Sequence, residues 1–313
     1  MTSTVLVTGA TGLLGRQLFT TFQRSGVLVV GQGFTRAAPP TILKADLEKA
    51  EDIKALLNEV KPQIVIHSAA NRSPDLCEKN PEQARKVNVE ATRALAEECQ
   101  TRGAFLVYIS TDYVFSGKEG EAPYEADATT EPPNIYGQLK RDGELAVLEA
   151  TKESGLGVVL RVPVLYGTAK SNSESAVNVL FDAVKNAQDE NAGVKMDDWA
   201  QRYPTNTEDV SRVVRDIVIK YLKQKDHIKE LPHILQFSSE DRMTKYEICE
   251  KLAEVQGWSL PGMIRNKQGN EPGGVQRPYD THLSTKALVD LGIDVRTMDF
   301  IAWWRRELGA IRH

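Results

Sequence analysis

The chain has 313 residues, room for one large domain or two intimate ones, with a formal net charge of −4 and 26% charged residues of both signs. It carries no basic run or basic tail, so no nucleic acid or anionic membrane is expected as a partner. The longest apolar runs, such as Val27–Gly31 and Ile64–Ile66, fall far short of the ~20 residues a membrane span needs.

The N-terminus opens directly on a strand, Val5-Leu6-Val7, with no basic-then-apolar leader, so no secretory signal is expected. Cys77, Cys99 and Cys249 stand far apart and form no CxxC, which reads as reduced thiols in a cytoplasmic protein. The five histidines share no ligand spacing with them, so no metal site is expected.

Short, nearly all-apolar runs alternate with segments of helical period. The predicted strands are Val5–Thr8, Val27–Val30, Ile64–His67, Phe105–Ser110 and Val158–Val162. The predicted helices between them are Leu13–Arg24, Glu51–Val60, Glu82–Arg102 and Tyr136–Glu153. Such a series builds a Rossmann-type, doubly wound parallel sheet with right-handed crossovers. Residues 1–167 are assigned to this α/β domain. Residues 168–313 are assigned to a smaller, helix-rich C-terminal lobe, with later segments completing the sheet. Helical periods return there at Asp209–Lys223 and Met243–Gly257, and the glycine- and proline-rich stretch Pro261–Pro278 reads as loop.

Between the first strand and first helix lies Thr8-Gly9-Ala10-Thr11-Gly12-Leu13-Leu14-Gly15. Gly9 permits a tight turn, Gly12 lets a pyrophosphate approach the backbone, and Gly15 lets the helix pack closely on the sheet. The helix N-terminus then offers N–H groups and a positive dipole end to a dinucleotide. After the second strand comes Gly31-Gln32-Gly33-Phe34-Thr35-Arg36, with no carboxylate and one arginine. An acidic residue here would suit NAD, whereas Arg36 with the Thr35 hydroxyl suits the 2′-phosphate of NADP, and Arg16 is placed to help. Asp46-Leu47 is expected at the adenine. Ser68-Ala69-Ala70, with Arg72 just beyond, is expected to leave room for the cofactor at the end of the third strand.

Tyr136-Gly137-Gln138-Leu139-Lys140 sets a phenol and an ammonium four residues apart, on one face of a helix. The lysine is expected to lower the tyrosine pKa from near ~10, so that the phenol exchanges a proton with a carbonyl oxygen while a nicotinamide moves hydride. Thr111, in Ser110-Thr111-Asp112-Tyr113-Val114-Phe115, is expected to give that oxygen a second hydrogen bond. Asp112 and Tyr113 are expected to line a substrate pocket. Pro163 to Leu165 are expected either on the nicotinamide or in ordinary core. For Asn88, on a buried helix, a structural hydrogen bond to nearby backbone is as good a reading as a functional one.

Together these segments resemble the extended short-chain dehydrogenase/reductases, and the STDYVF run followed by YGQLK resembles their dTDP-4-dehydrorhamnose reductase branch. That resemblance implies catalytic roles for Thr111, Tyr136 and Lys140. The second half, with Glu174-Ser175-Ala176-Val177, Trp199-Ala200-Gln201-Arg202-Tyr203-Pro204-Thr205, Met243-Thr244-Lys245-Tyr246-Glu247 and Gln276-Arg277-Pro278, is similar to the family of regulatory β subunits of methionine adenosyltransferase. So is Gly33-Phe34-Thr35-Arg36-Ala37, where that family holds NADP. Two functions follow from the resemblance. One is an NADP-binding regulator of S-adenosylmethionine synthesis, partnered by a catalytic methionine adenosyltransferase subunit. The other is an NADPH-dependent reductase of a nucleotide-linked 4-keto-sugar. Val164 stands where the sugar reductases usually carry a tryptophan, and Gln201-Arg202-Tyr203 lacks a glycine they usually have, so the regulatory reading is preferred. In it Tyr136 and Lys140 would hydrogen-bond the nicotinamide ribose. The resemblance also points to the C-terminal tail, Trp303–His313, as the contact with the catalytic subunit; Trp303 and Trp304 would otherwise cap the core of the lobe.

Overall fold

The computed structural model describes residues 3–310. Strand β1 (Thr4–Thr8) leads into helix α1 (Leu13–Arg24) and strand β2 (Leu28–Gly33). A short strand, β3 (Ile42–Lys44), comes before α2 (Ala50–Val60) and β4 (Ile64–His67). Helices α3 (Pro74–Lys79), α4 (Pro81–Arg85) and α5 (Ala91–Arg102) precede β5 (Phe105–Thr111). Helix α6 (Ile135–Thr151) and strand β6 (Gly157–Val162) finish the first half.

These strands, with β10 (Ile234–Gln236) from the second half, form a seven-stranded sheet in the order β10-β6-β5-β4-β1-β2-β3. All its pairings are parallel. The strand order reverses beside β1, and that reversal opens a crevice at the carboxyl ends of the strands. The alternation within β1 sorts its side chains between two cores. Val5 and Val7 pack with Leu18 and Phe22 on one face, and Leu6 packs with Ile53, Leu57 and Leu95 on the other.

The second half begins with β7 (Leu165–Tyr166), α7 (Leu180–Asn186), β8 (Val194–Asp197) and β9 (Thr205–Asn206). Helix α8 (Thr207–Lys223) and strand β10 (Ile234–Gln236) then return to the large sheet. Val213, Val214, Ile217 and Tyr221 of α8 share a core with β1 and α1. The chain ends with α9 (Lys245–Gln256), β11 (Met263–Asn266), α10 (Lys286–Asp290) and α11 (Phe300–Glu307). Tyr166, Phe181, Met196, Leu252, Phe300, Trp303 and Trp304 form a separate core in the smaller lobe.

Three expectations need correction. The helix predicted over Glu82–Arg102 is interrupted by a π-helical turn at Lys86–Glu90. Asn88 sits in that turn, and its side chain accepts from Asn71 N (2.8 Å) and donates to Asn71 O (2.9 Å). The wider turn therefore holds the chain leaving β4, a hydrogen-bonding demand that hydrophobic periodicity does not record. The Pro261–Pro278 stretch is not all loop, because β11 pairs with β8 inside it. Trp303 and Trp304, expected at a partner surface with a core-capping role as the alternative, take the alternative: each is 1% exposed and lies in the core of the smaller lobe. Residues 311–313 of the expected tail lie outside the described residues.

Candidate functional site

The turn between β1 and α1 is shaped by glycines, of which Gly9 and Gly15 admit nothing larger. Gly9 has φ +65°, and a Cβ there would lie 2.9 Å from Ala69 N and Cα. At Gly15 a Cβ would lie 2.1 Å from Gly9 O, so the helix sits directly against the turn. A Cβ on Gly12 would be tight but less severe, at 3.3 Å from the same carbonyl. Gly12 caps α1 without a side-chain acceptor, and the first turn holds no acidic residue. The N–H groups of Leu13, Leu14 and Gly15 therefore have no acceptor within the helix, which suits an incoming diphosphate.

Gln32 holds this turn, a role its place in the sequence did not reveal. Its Oε1 accepts from Gly9 N (3.0 Å), and its Nε2 donates to Ala45 O (2.8 Å). One buried amide thus ties the glycine turn to the exit of β3. Beneath it, Thr8 Oγ1 lies 2.7 Å from His67 Nδ1, while His67 Nε2 lies 3.0 Å from Thr92 Oγ1. Burial, aided by the nearby Lys140 charge, pushes the His67 pKa down to about 3, so the ring is neutral.

The other expected cofactor residues flank the crevice. Ser68 donates to Thr8 O (2.6 Å), and Ala69 N lies 3.4 Å from Thr8 Oγ1, which positions Ser68-Ala69-Ala70 beside the glycine turn. Phe34 is exposed, with the Lys44 ammonium 5.8 Å from its ring centre. Asp46 accepts from Glu48 N (3.1 Å), and its own N–H donates to Asp52 (2.9 Å). Leu47 is buried in the sheet core. Leu165 is partly buried against the core that also holds β1.

Arg36 has a partner that the sequence reading did not assign. Its Nη1 lies 2.7 Å from Glu174 Oε1, and Arg16 Nη2 lies 2.6 Å from Glu174 Oε2. Arg16 also donates to Thr11 O (2.8 Å), and Arg72 donates to Ser173 O (3.2 Å). Three arginines from separate points of the first half thus converge on residues 173–174.

Thr111, Tyr136 and Lys140 are brought together where β5 ends and α6 begins. Gly137 makes the approach possible, since a Cβ there would lie 2.1 Å from Tyr113 O. Asn134 caps α6 by accepting from Gly137 N (2.9 Å) and donates to Gln276 O (2.8 Å) in the second half. The Tyr136 ring meets Tyr113 edge to face, with centres 5.9 Å apart.

The electrostatics differ from the expectation. Lys140 Nζ donates to Ile109 O (2.7 Å) and lies 4.1 Å from the Tyr108 ring centre. Burial lowers its pKa to about 7, against the raising influence of Glu144. Tyr136 is pushed well above the usual tyrosine value by burial, which the neighbouring Thr111 hydroxyl offsets only in part. In this state the phenol keeps its proton. Thr111 Oγ1 donates to Asp112 Oδ1 (3.0 Å) and accepts from Tyr113 N (3.2 Å), so its own proton is committed. Burial raises the Asp112 pKa, opposed by the Thr281 hydroxyl 2.6 Å from Oδ2 and by the Arg202 charge. The site thus combines a protonated acid, a near-neutral amine and an anion-receptive turn, groups that can hold a dinucleotide and supply a proton beside it.

The RmlD substrate binding domain family matches residues 3–309. Methionine adenosyltransferase 2 subunit beta of Xenopus tropicalis is 41% identical over 293 residues, covering 93% of this chain and 83% of that protein. A dTDP-4-dehydrorhamnose reductase of Streptomyces griseus is 38% identical over 167 residues, 53% of this chain and 51% of that one. In three dimensions the chain resembles the dTDP-4-dehydrorhamnose reductase of Bacillus anthracis, solved in complex with NADP, with TM-score 0.80, 22% identity and 98% of each chain covered. The chain belongs to the RmlD substrate binding domain family, within its branch of methionine adenosyltransferase 2 beta subunits.

Proposed function

We propose that the protein is an NADP-binding regulatory subunit that joins a catalytic methionine adenosyltransferase and modulates S-adenosylmethionine synthesis. The observation that carries this reading is the reach of the likeness. Identity to the β subunits runs through both lobes, whereas the reductase likeness at similar identity covers 53% of the chain.

In this reading the amides of Leu13, Leu14 and Gly15 hold the pyrophosphate beside Thr11, with Gly9 and Gly12 clearing its path. Phe34, Thr35 and Arg36 receive the phosphorylated ribose, with Asp46 and Leu47 towards the adenine. Ser68, Ala69, Ala70 and Arg72 border the opposite wall. Tyr136 and Lys140 hydrogen-bond the nicotinamide ribose, and Leu165 packs near the ring. With Trp303 and Trp304 internal, the partner contact through the tail falls to the residues from Arg305 onward. The three buried free thiols, Cys77, Cys99 and Cys249, fit a reducing cytoplasm.

A second reading, reduction of a nucleotide-linked 4-keto-sugar, draws on the gathering of Thr111, Tyr136 and Lys140 at one crevice. NADPH would supply the hydride and Tyr136 the proton. The two readings separate in one paired assay. A complex with a methionine adenosyltransferase catalytic subunit that survives gel filtration and alters its kinetics supports the first. Absence of that complex, together with NADPH consumption driven by a dTDP-4-keto-sugar, overturns it for the second.

A further inference from the structure

The segment between β7 and α7 crosses from the smaller lobe to the mouth of the crevice, and its hold on the first half is mostly ionic. Glu174 accepts from Arg16 Nη2 (2.6 Å) and Nη1 (3.2 Å) and from Arg36 Nη1 (2.7 Å). Arg72 adds a bond to Ser173 O (3.2 Å), and Arg16 another to Thr168 O (3.4 Å). The carboxylate is steadied from its own loop by Lys170 N (3.0 Å). At the next residue the strap is anchored to the smaller lobe, where Ser175 Oγ donates to Leu165 O (2.7 Å) and Asn178 donates to Gly167 O (2.9 Å).

The charges explain this arrangement. Arg16 and Arg36 stand at the phosphate-facing rim, and without an anion their guanidinium groups would repel one another. Glu174 supplies two acceptor oxygens to both, the service a phosphate monoester performs with three. Although burial opposes it, hydrogen bonding from the two arginines carries the Glu174 pKa down to about 2, so the carboxylate is charged throughout the physiological range. Its side chain is 14% exposed, against 50% for Arg36, so the arginine is the partner open to exchange.

We propose that Glu174 is a built-in surrogate for the 2′-phosphate of NADP, a latch whose carboxylate that phosphate must displace from Arg36. This rests on the cofactor reading above and adds a residue that sets the choice between the two dinucleotides. With the 2′-phosphate on Arg36, Glu174 loses that partner, and residues 168–174 loosen against the first half while Arg16 and Arg72 still tether them. NAD(H), with no 2′-phosphate, leaves the latch shut. The strap thereby couples the phosphorylation state of the dinucleotide to the smaller lobe.

The test uses the full-length protein, calorimetric titration with NADPH and NADH, and the substitution Glu174→Gln. Removing the competing charge should tighten NADPH about fivefold, while NADH changes by less than about twofold. Hydrogen exchange on the unsubstituted protein gives a second readout. NADPH should speed exchange of amides in 168–175 while slowing it in the glycine turn, and NADH should do only the latter. Weaker or unchanged NADPH binding in Glu174→Gln would make Glu174 a fixed support for Arg36 and overturn the latch alone. So would slower exchange of 168–175 with NADPH. Failure of both chains to bind either dinucleotide overturns the cofactor reading, and the latch with it.

Discussion

Arg161 grips Glu144 with two parallel hydrogen bonds, Nε to Oε1 at 2.9 Å and Nη2 to Oε2 at 2.8 Å. The two side chains are 1% and 0% exposed. Ser110 Oγ adds a third bond to the carboxylate (2.6 Å), and Arg161 also reaches Ala126 O (3.1 Å) and Gln236 Oε1 (3.2 Å). The pair thus joins β5, α6, β6 and β10 under the catalytic-looking residues. Replacing Arg161 with Met strands a buried carboxylate, and we expect a loss of about 3–5 kcal/mol in denaturant unfolding. A loss below about 1 kcal/mol would mean that water reaches Glu144.

The two inner glycines should separate folding from binding. Gly15→Ala places a methyl 2.1 Å from a backbone carbonyl, so the turn itself must distort, lowering the melting temperature and abolishing dinucleotide binding together. Gly12→Ala meets its carbonyl at 3.3 Å and should fold, yet lose dinucleotide affinity by about tenfold or more, because the methyl stands on the anion's approach. Thermal melts paired with titrations distinguish the two. Intact binding in Gly12→Ala would move the pyrophosphate elsewhere.

His67 should make the fold acid-sensitive. Its pKa is about 3 in the folded chain, against 6.5 for the free group, so between those values the unfolded chain binds the extra proton. Stability is therefore full above about pH 6.5 and falls as pH drops towards 3, by up to about 1.4 kcal/mol per pH unit from this group. His67→Gln should flatten that limb of the stability profile. An equally steep profile in the variant would assign the acid response to other groups.

Lys140 acts on the alkaline side. Burial holds its pKa at about 7, against 10.5 for the free group, so the unfolded chain again carries more protons between those values. Stability from this group rises as pH climbs from about 7 towards 10 and is penalised below that window. Lys140→Met should raise unfolding free energy at pH 7 and remove much of the rise. If the variant is less stable at pH 7, the bond from Nζ to Ile109 O outweighs the cost of burying the amine.

Trp303 belongs to the fold before it belongs to any interface. Its ring centre lies 5.1 Å from that of Tyr166 and 5.0 Å from that of Trp304, and its Nε1 donates to Glu208 Oε1 (3.1 Å). Trp303→Ala should cost about 3–5 kcal/mol of stability, visible in the isolated protein without any partner. A variant that melts normally and fails only in complex formation would restore the tryptophan to a docking surface.

The sequence determined the α/β sheet, the glycine turn and the place of Tyr136 and Lys140 one helical turn apart on α6, because each is written in local spacing. Parallel strands buried on both faces are continuous apolar runs, a phosphate turn needs glycine at fixed steps, and residues four apart on a helix share a face. Two short strands of the large sheet, β3 and β10, escaped notice because three residues carry too little periodicity. The break at Asn88 escaped because a π turn leaves the apolar pattern almost unchanged.

Tertiary structure alone decided where charges meet and which groups lie dry. Arg36 and Glu174 are 138 positions apart, and only folding sets one carboxylate between two arginines. The YGQLK spacing placed Lys140 near Tyr136, but it was the floor of the cleft, with Ile109 O and the Tyr108 ring, that claimed the ammonium. Nor does adjacency along the chain tell whether tryptophans face solvent; the packing of Tyr166 against α11 turned Trp303 and Trp304 inward. Local geometry is fixed by bonds a few residues long, whereas solvation and pairing depend on what the rest of the chain brings alongside.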